Sequence, residues 1–306
     1  MIGLRSVWRR SLSAAANDAL SLEIPTVNLV SEKLAPADGG NPNHSPIVIL
    51  HGLFGSKSNN RTVGKQLANR LSRNVYTLDL RNFGQSPHDP RLDIPSLAAD
   101  VEHWCNTELT EEPGKPILLG HSMGAKTVMA IALRRPQLPK MVISVDSAPV
   151  NFANSGSSFS RYINQLRLAT EKYKYTDIKD VDAKLAEVEP NKVIRQFLLM
   201  NMNRGKKDDP VTSKIPLDII GNAVTKGLVS QWPYDFRQSR WTGPTLIVRG
   251  TQSEYVPDEV IADIGQFFPN FEIRDIDAGH WVISEQPQQF EDVVCEFIER
   301  HEDEEE

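Results

Sequence analysis

Short, mainly apolar runs recur along the chain, each closed by a small or polar residue. They are Ile47-Val48-Ile49-Leu50, Val75-Tyr76-Thr77-Leu78-Asp79-Leu80, Ile117-Leu118-Leu119, Met141-Val142-Ile143-Ser144-Val145-Asp146 and Thr245-Leu246-Ile247-Val248-Arg249-Gly250. Runs of this length without strict polar alternation predict strands buried on both faces. Between them the spacing changes. Val63, Leu67 and Leu71 fall on one face of a helix spanning Asn59 to Ser72, and Ile94 to Leu109 and Thr127 to Leu133 read as further helices. Val27 to Leu34 supplies a first strand, and the Pro/Gly/Asn-rich stretch from Pro36 to Pro46 an exposed turn. Late in the chain, Phe271 to Ile276 alternates as a strand between helices at Val260 to Phe268 and around Phe290 to Arg300. Strands alternating with helices predict an α/β fold with a mainly parallel sheet covered on both sides.

From Asn151 to about Arg240 that alternation stops. Phe159 to Tyr173, Ile178 to Val188, Lys192 to Met202 and Leu217 to Leu228 have helical character, separated by polar breaks. This predicts a core of residues 18–150 and 241–306, with residues 151–240 forming a helical cap insertion over the sheet. Phe197, Leu198, Leu199, Met200 and Met202 have two readings, as the lining of an acyl pocket or as packing within the insertion.

Composition narrows the classes. The chain has 306 residues, 40% of them hydrophobic, enough for a sizeable core. A net charge of -6 with no basic stripe argues against a nucleic-acid partner. No apolar run approaches the roughly 18 residues of a bilayer span, so no membrane-spanning segment is expected. Cys105 and Cys295 lack metal or redox spacing and read as reduced packing residues. Residues 1–17 carry Arg5, Arg9 and Arg10 and no acid, with Leu4, Val7, Trp8 and Leu12 apolar, which predicts a mitochondrial presequence. The acidic run Glu302 to Glu306 reads as a solvated tail.

The chemistry concentrates at Gly120-His121-Ser122-Met123-Gly124, placed between an apolar strand and a helix. This G-x-S-x-G setting is that of a serine on a strained strand-to-helix turn. Glycines there remove side chains that would collide, and the Met123 N–H points where an oxyanion forms. His51-Gly52-Leu53 after another buried strand supplies a second donor, the Leu53 N–H, while His51 itself reads as structural. Of seven histidines, His280 alone follows a late strand on a loop, in Ala278-Gly279-His280-Trp281, and is the candidate base. The orienting acid commonly follows the strand that ends here at Gly250, but that slot holds Ser253. Asp146, closing the preceding strand, is therefore preferred to Glu254, which looks like a surface residue. Asp79 and Arg81 read as a pair bracing a turn.

These motifs, H-G-L-F-G-S, D-x-R-N-x-G-x-S, G-H-S-M-G, V-D-S-A-P and A-G-H-W, resemble the α/β-hydrolase superfamily over residues 46 to 300. More narrowly they resemble the branch holding small mitochondrial abhydrolase-domain hydrolases and yeast ethanol acetyltransferases. In that branch the acid follows the earlier strand, which supports Asp146. The resemblance implies transfer of acetyl from acetyl-CoA, as co-substrate, through Ser122 to ethanol, giving ethyl acetate. Esterase and thioesterase side activities on short acyl esters are implied too. It implies no cofactor or metal. A serine ester or lipid hydrolase using water is the alternative.

Overall fold

The computed structural model describes residue 20 and residues 23–152, 156–205 and 208–303. The expected presequence, residues 1–17, lies outside them. Strands β1 (Val30–Leu34), β2 (Ile47–Leu50), β3 (Val75–Asp79), β4 (Ile117–His121) and β5 (Met141–Val145) alternate with helices α1 (Arg61–Arg70), α2 (Ile94–Glu108) and α3 (Met123–Arg134). Helices α4 (Gly156–Arg167), α5 (Ile178–Ala186), α6 (Lys192–Leu199) and α7 (Leu217–Thr225) follow. A two-stranded ribbon, β6 (Met202–Asn203) with β7 (Thr212–Ser213), interrupts them. The chain then returns to β8 (Thr245–Gly250), α8 (Ile261–Phe267), β9 (Phe271–Ile276), α9 (Val282–Glu285) and α10 (Pro287–Asp303).

Among the described residues the main sheet has seven strands in the order β1-β3-β2-β4-β5-β8-β9. Only β1 runs antiparallel, pairing with β3. From β2 the chain winds outward to β3, then crosses back to β4 on β2's other side, where Leu50 pairs with Gly120. That reversal is the switch point at which open α/β sheets place ligands, outside the carboxyl ends of the strands. The loops after β2 and β4 carry Leu53 and Ser122.

Period-two alternation divides each strand between two cores. Val48, Leu50, Leu78, Leu118 and Val142 face α2, α3 and the 156–225 helices. Ile47, Ile49, Val75, Ile117, Leu119, Met141 and Ile143 face α1 and α10. Both faces are covered, which explains why the strands read as continuous apolar runs. Cys105 and Cys295 are buried and unpaired. No described helix is long and apolar enough to cross a membrane.

Two sequence expectations are corrected. Asp79 and Arg81 do brace the turn after β3, but with different partners. Asp79 accepts from Lys57 Nζ at 2.5 Å and from the Lys57 and Gln85 amides, while Arg81 forms a fork with Asp100 at 2.5 and 2.7 Å. Asp79 closes β3 and Arg81 lies in the turn beyond it, and the nearest countercharge of each comes from another element. Second, Glu302 is no solvated tail. It lies in the last turn of α10 and accepts two bonds from the buried Arg73, at 3.0 and 2.6 Å.

Burial raises the Asp100 carboxyl, and Arg81 opposes that rise. Removing the guanidinium leaves an uncompensated buried carboxylate. Arg81→Met is expected to lower unfolding free energy by about 3–5 kcal/mol in urea titration, and adding Asp100→Leu should recover part of that loss.

Candidate active site

Ser122 stands between β4 and α3 with φ 55° and ψ -112°, a conformation that non-glycine residues adopt only when their surroundings enforce it. The enforcement is visible. Ser122 N donates to Val145 O at 3.0 Å, extending the ladder between β4 and β5. A Cβ on Gly120 would lie 2.2 Å from Gly124 O, and one on Gly124 2.6 Å from Leu50 O. Both glycines therefore let α3 sit directly on β4 and β2. Met123 begins α3, where its N–H has no acceptor within the helix and the helix dipole favours negative charge.

Asp146 follows β5 in the same left-handed region, at φ 51°, and is fully buried. Its backbone N–H donates to Val248 O at 2.8 Å. Oδ1 accepts from Gly250 N at 3.2 Å; Oδ2 accepts from Ser253 Oγ at 2.5 Å and lies 2.6 Å from His280 Nδ1. His280 Nε2 lies 3.0 Å from Ser122 Oγ. A carboxylate only accepts, so Nδ1 carries the imidazole proton and Nε2 presents its lone pair to the hydroxyl. Such a chain can take the proton from a serine hydroxyl as the oxygen attacks. Glu254 is exposed, and the carboxylate on His280 Nδ1 is that of Asp146. Ser253, at the slot where the acid was first sought, instead supplies Asp146 with a hydrogen bond.

Residues 45–287 match the family described as alpha/beta hydrolase fold. The chain belongs to this family. It is 42% identical over 276 residues to the "Probable alcohol acetyltransferase" of Saccharomyces cerevisiae, covering 87% of this chain and 80% of that protein. It is 34% identical over 258 residues to the "sn-1-specific diacylglycerol lipase ABHD11" of Mus musculus, covering 82% and 80%. Among solved structures, "Marine microorganism esterase" superposes with a TM-score of 0.78 at 27% identity, covering 89% of this chain and all of that one.

Further side chains complete the site. Tyr255 stacks on the His280 ring, centroids 3.9 Å apart at 19°, and His121 Nε2 donates to the His280 carbonyl at 2.7 Å. His51 is structural, as the sequence suggested. Its Nε2 accepts from Leu80 N at 3.0 Å and its Nδ1 donates to Gly52 O at 2.7 Å, tying the loops after β2 and β3 together. Burial first, with His280's proximity adding for His121, lowers both His51 and His121 to about 4, so each is neutral at pH 7. Tyr255 escaped sequence reading because stacking across β8 and β9 loops leaves no local pattern.

Beside Ser122 lies a cavity of about 40 Å³, lined by Leu53, Met123, Phe152, Phe159, Val224 and Tyr255 among others. The expectation for the 197–202 segment resolves toward packing. Leu198, Leu199 and Met202 are buried in the core and Met200 is half exposed, leaving only Phe197 near the site, in a separate cavity. The sequence also missed Lys126, one helical turn after Ser122. Its side chain is buried, with Nζ donating to Val150 O at 2.5 Å and standing 5.1 Å from the Phe152 ring centroid.

Burial lowers the Lys126 ammonium to about 7, against an ordinary value of 10.5. Between these values the unfolded chain binds a proton that the folded one does not, so this group makes stability rise from pH 7 to 10.5; below 7 both states are protonated and its full penalty applies. Lys126→Met should flatten that rise. Urea midpoints of wild type and variant, compared at pH 7 and pH 10, should differ in pH slope, the wild type being the steeper.

Proposed function

We propose that the protein is a serine-dependent alcohol acetyltransferase, making ethyl acetate from acetyl-CoA and ethanol, with esterase and thioesterase side activity. The observation that carries the chemistry is His280 bridging Asp146 and Ser122 at 2.6 and 3.0 Å. In this reading Ser122 Oγ attacks the acetyl carbonyl while His280 Nε2 takes its proton and Asp146 steadies the imidazolium. The Leu53 and Met123 N–H groups hold the oxyanion. Coenzyme A leaves as the thiol, receiving that proton. Ethanol then gives its own proton to His280 and attacks acetyl-Ser122; the bond to Ser122 Oγ breaks, that oxygen takes the proton back from His280, and ethyl acetate departs.

Support for an alcohol acceptor comes from the 42% identity to a protein named a probable alcohol acetyltransferase, and support for a short acyl group from the small cavity beside Ser122. A second reading, a serine ester or lipid hydrolase with water as acceptor, is favoured by the likeness to a diacylglycerol lipase. The two differ only in what attacks the acyl-enzyme. Exclusion of water by the helices above the sheet would favour ethanol. We place the enzyme in mitochondria on the charge pattern of residues 1–17, testable by whether these residues carry a fluorescent protein into the organelle.

Purified enzyme given acetyl-CoA and rising ethanol should release mainly ethyl acetate; mainly acetate at every ethanol concentration would establish the hydrolase instead. Ser122→Ala should lower turnover by roughly 10³-fold or more. Asp146→Asn should cost about 10⁴-fold in kcat through loss of the correct tautomer, and Glu254→Gln less than about threefold. The reverse ranking would move the acid to Glu254.

A further inference from the structure

A carbonyl held at Ser122 carries two substituents; one cavity is lined by Ser122 itself, and a second by residues that directly precede Ser122 and Leu53 in the chain. The first, beside Leu53 and Ser122, suits the acyl group. The second, about 130 Å³, is lined by Gly52 and His121, the residues immediately preceding those two, together with His51, Asn60, Phe197 and Trp281. Nothing in the proposed serine chemistry uses it.

Its polar groups are specific. Asn60 is 5% exposed, yet its Nδ2 has no hydrogen-bond partner. A buried donor left this way is costly unless a ligand or water supplies an acceptor. His121 spends its Nε2–H on the His280 carbonyl, so Nδ1 keeps a lone pair. Phe197 and Trp281, edge to face at 4.7 Å, form an apolar wall. One donor and one acceptor beside aromatic rings complement a secondary amide flanked by methylenes.

We propose that this cavity seats the thiol arm of an acyl-thioester donor, with Asn60 Nδ2 donating to the carbonyl of the arm's first amide and His121 Nδ1 accepting that amide's N–H. The proposal rests on acetyl-CoA being the acyl donor. It assigns Asn60 as a specificity residue for the donor, distinct from the groups that act on the acetyl carbon. The adjoining cavity shares Asn59 and is lined by Lys57, Arg61 and Lys214; Asp79, also in its lining, pairs with Lys57, and Glu32 pairs with Arg61, so the arm leads toward a modest positive excess. A triglyceride offers acceptors but no donor for His121 Nδ1, and a diacylglycerol only a single hydroxyl in place of an amide's fixed donor and acceptor.

The test compares two acetyl thioesters, S-acetyl-N-acetylcysteamine, which carries the amide, and S-ethyl thioacetate, which lacks it. Wild type should prefer the first by about tenfold in kcat/KM, the preference residing in KM. Asn60→Leu should abolish that preference. Ser284→Trp, placed at the exposed rim of the same cavity, should abolish it too, and keeps the test decisive if Asn60→Leu does not fold. Absence of any preference in wild type, or its survival in the folded variants, overturns the assignment while leaving acetyl-CoA as donor. Cleavage of p-nitrophenyl acetate with no turnover of either thioester or of acetyl-CoA overturns the acetyl-CoA reading itself, and this proposal with it.

Discussion

The site depends on how closely α3 approaches β4 and β2. The backbone atoms that a Cβ at Gly120 or Gly124 would strike, at 2.2 and 2.6 Å, leave no room for adjustment. That contact holds Ser122 at φ 55°, turns its hydroxyl out of the sheet and starts a twelve-residue helix directly behind it. The strain is offset by the packing of two large cores on either side of the sheet. A second strained residue, Asp146 at φ 51°, stands at the end of the adjacent strand, and backbone bonds to Val145 and Val248 hold the two in register. Serine and carboxylate are thus fixed by neighbouring strands of one rigid sheet. Only His280 arrives on a loop, clasped by Tyr255, by the His121 bond to its carbonyl and by Glu285 bonding the Gly279 and Trp281 amides.

This division explains what was legible in the sequence. Strands buried on both faces announce themselves as apolar runs, and steric demand at the elbow shows as glycines flanking a serine, so the sheet and the positions of Ser122, Leu53 and Met123 follow from local pattern. Asp146 was readable because it closes such a run. Contacts that join distant segments were not. Arg81 meets Asp100 across nineteen residues, Arg73 meets Glu302 from the far end of the chain, and Ser253 reaches Asp146 across 107 positions. Charge alone gives no direction, which is why Asp79 and Arg81 looked like partners and Glu302 like part of a tail. Helices 156–225 were recognised, but which of their apolar residues face the serine depends on how they dock, and Phe197 turned to a different cavity from the one its neighbours suggested.

The same geometry frames the competition among acceptors. The groups aligned on Ser122 serve any nucleophile that gives a proton to His280, so they set the reaction class and leave the acceptor to the surroundings. Those surroundings come from the helices above the sheet and from Lys126, whose amino group is buried beside the cavity at Ser122 with a backbone carbonyl and aromatic faces for company.

The central claim, that the acyl group passes through Ser122, is tested most directly by mass spectrometry of peptides from enzyme quenched during turnover of acetyl-CoA. The account predicts an acetyl group on Ser122 that accumulates without ethanol and falls when ethanol is added. Ethyl acetate formed with no acetyl on Ser122, or with the group stably on another residue, would contradict it.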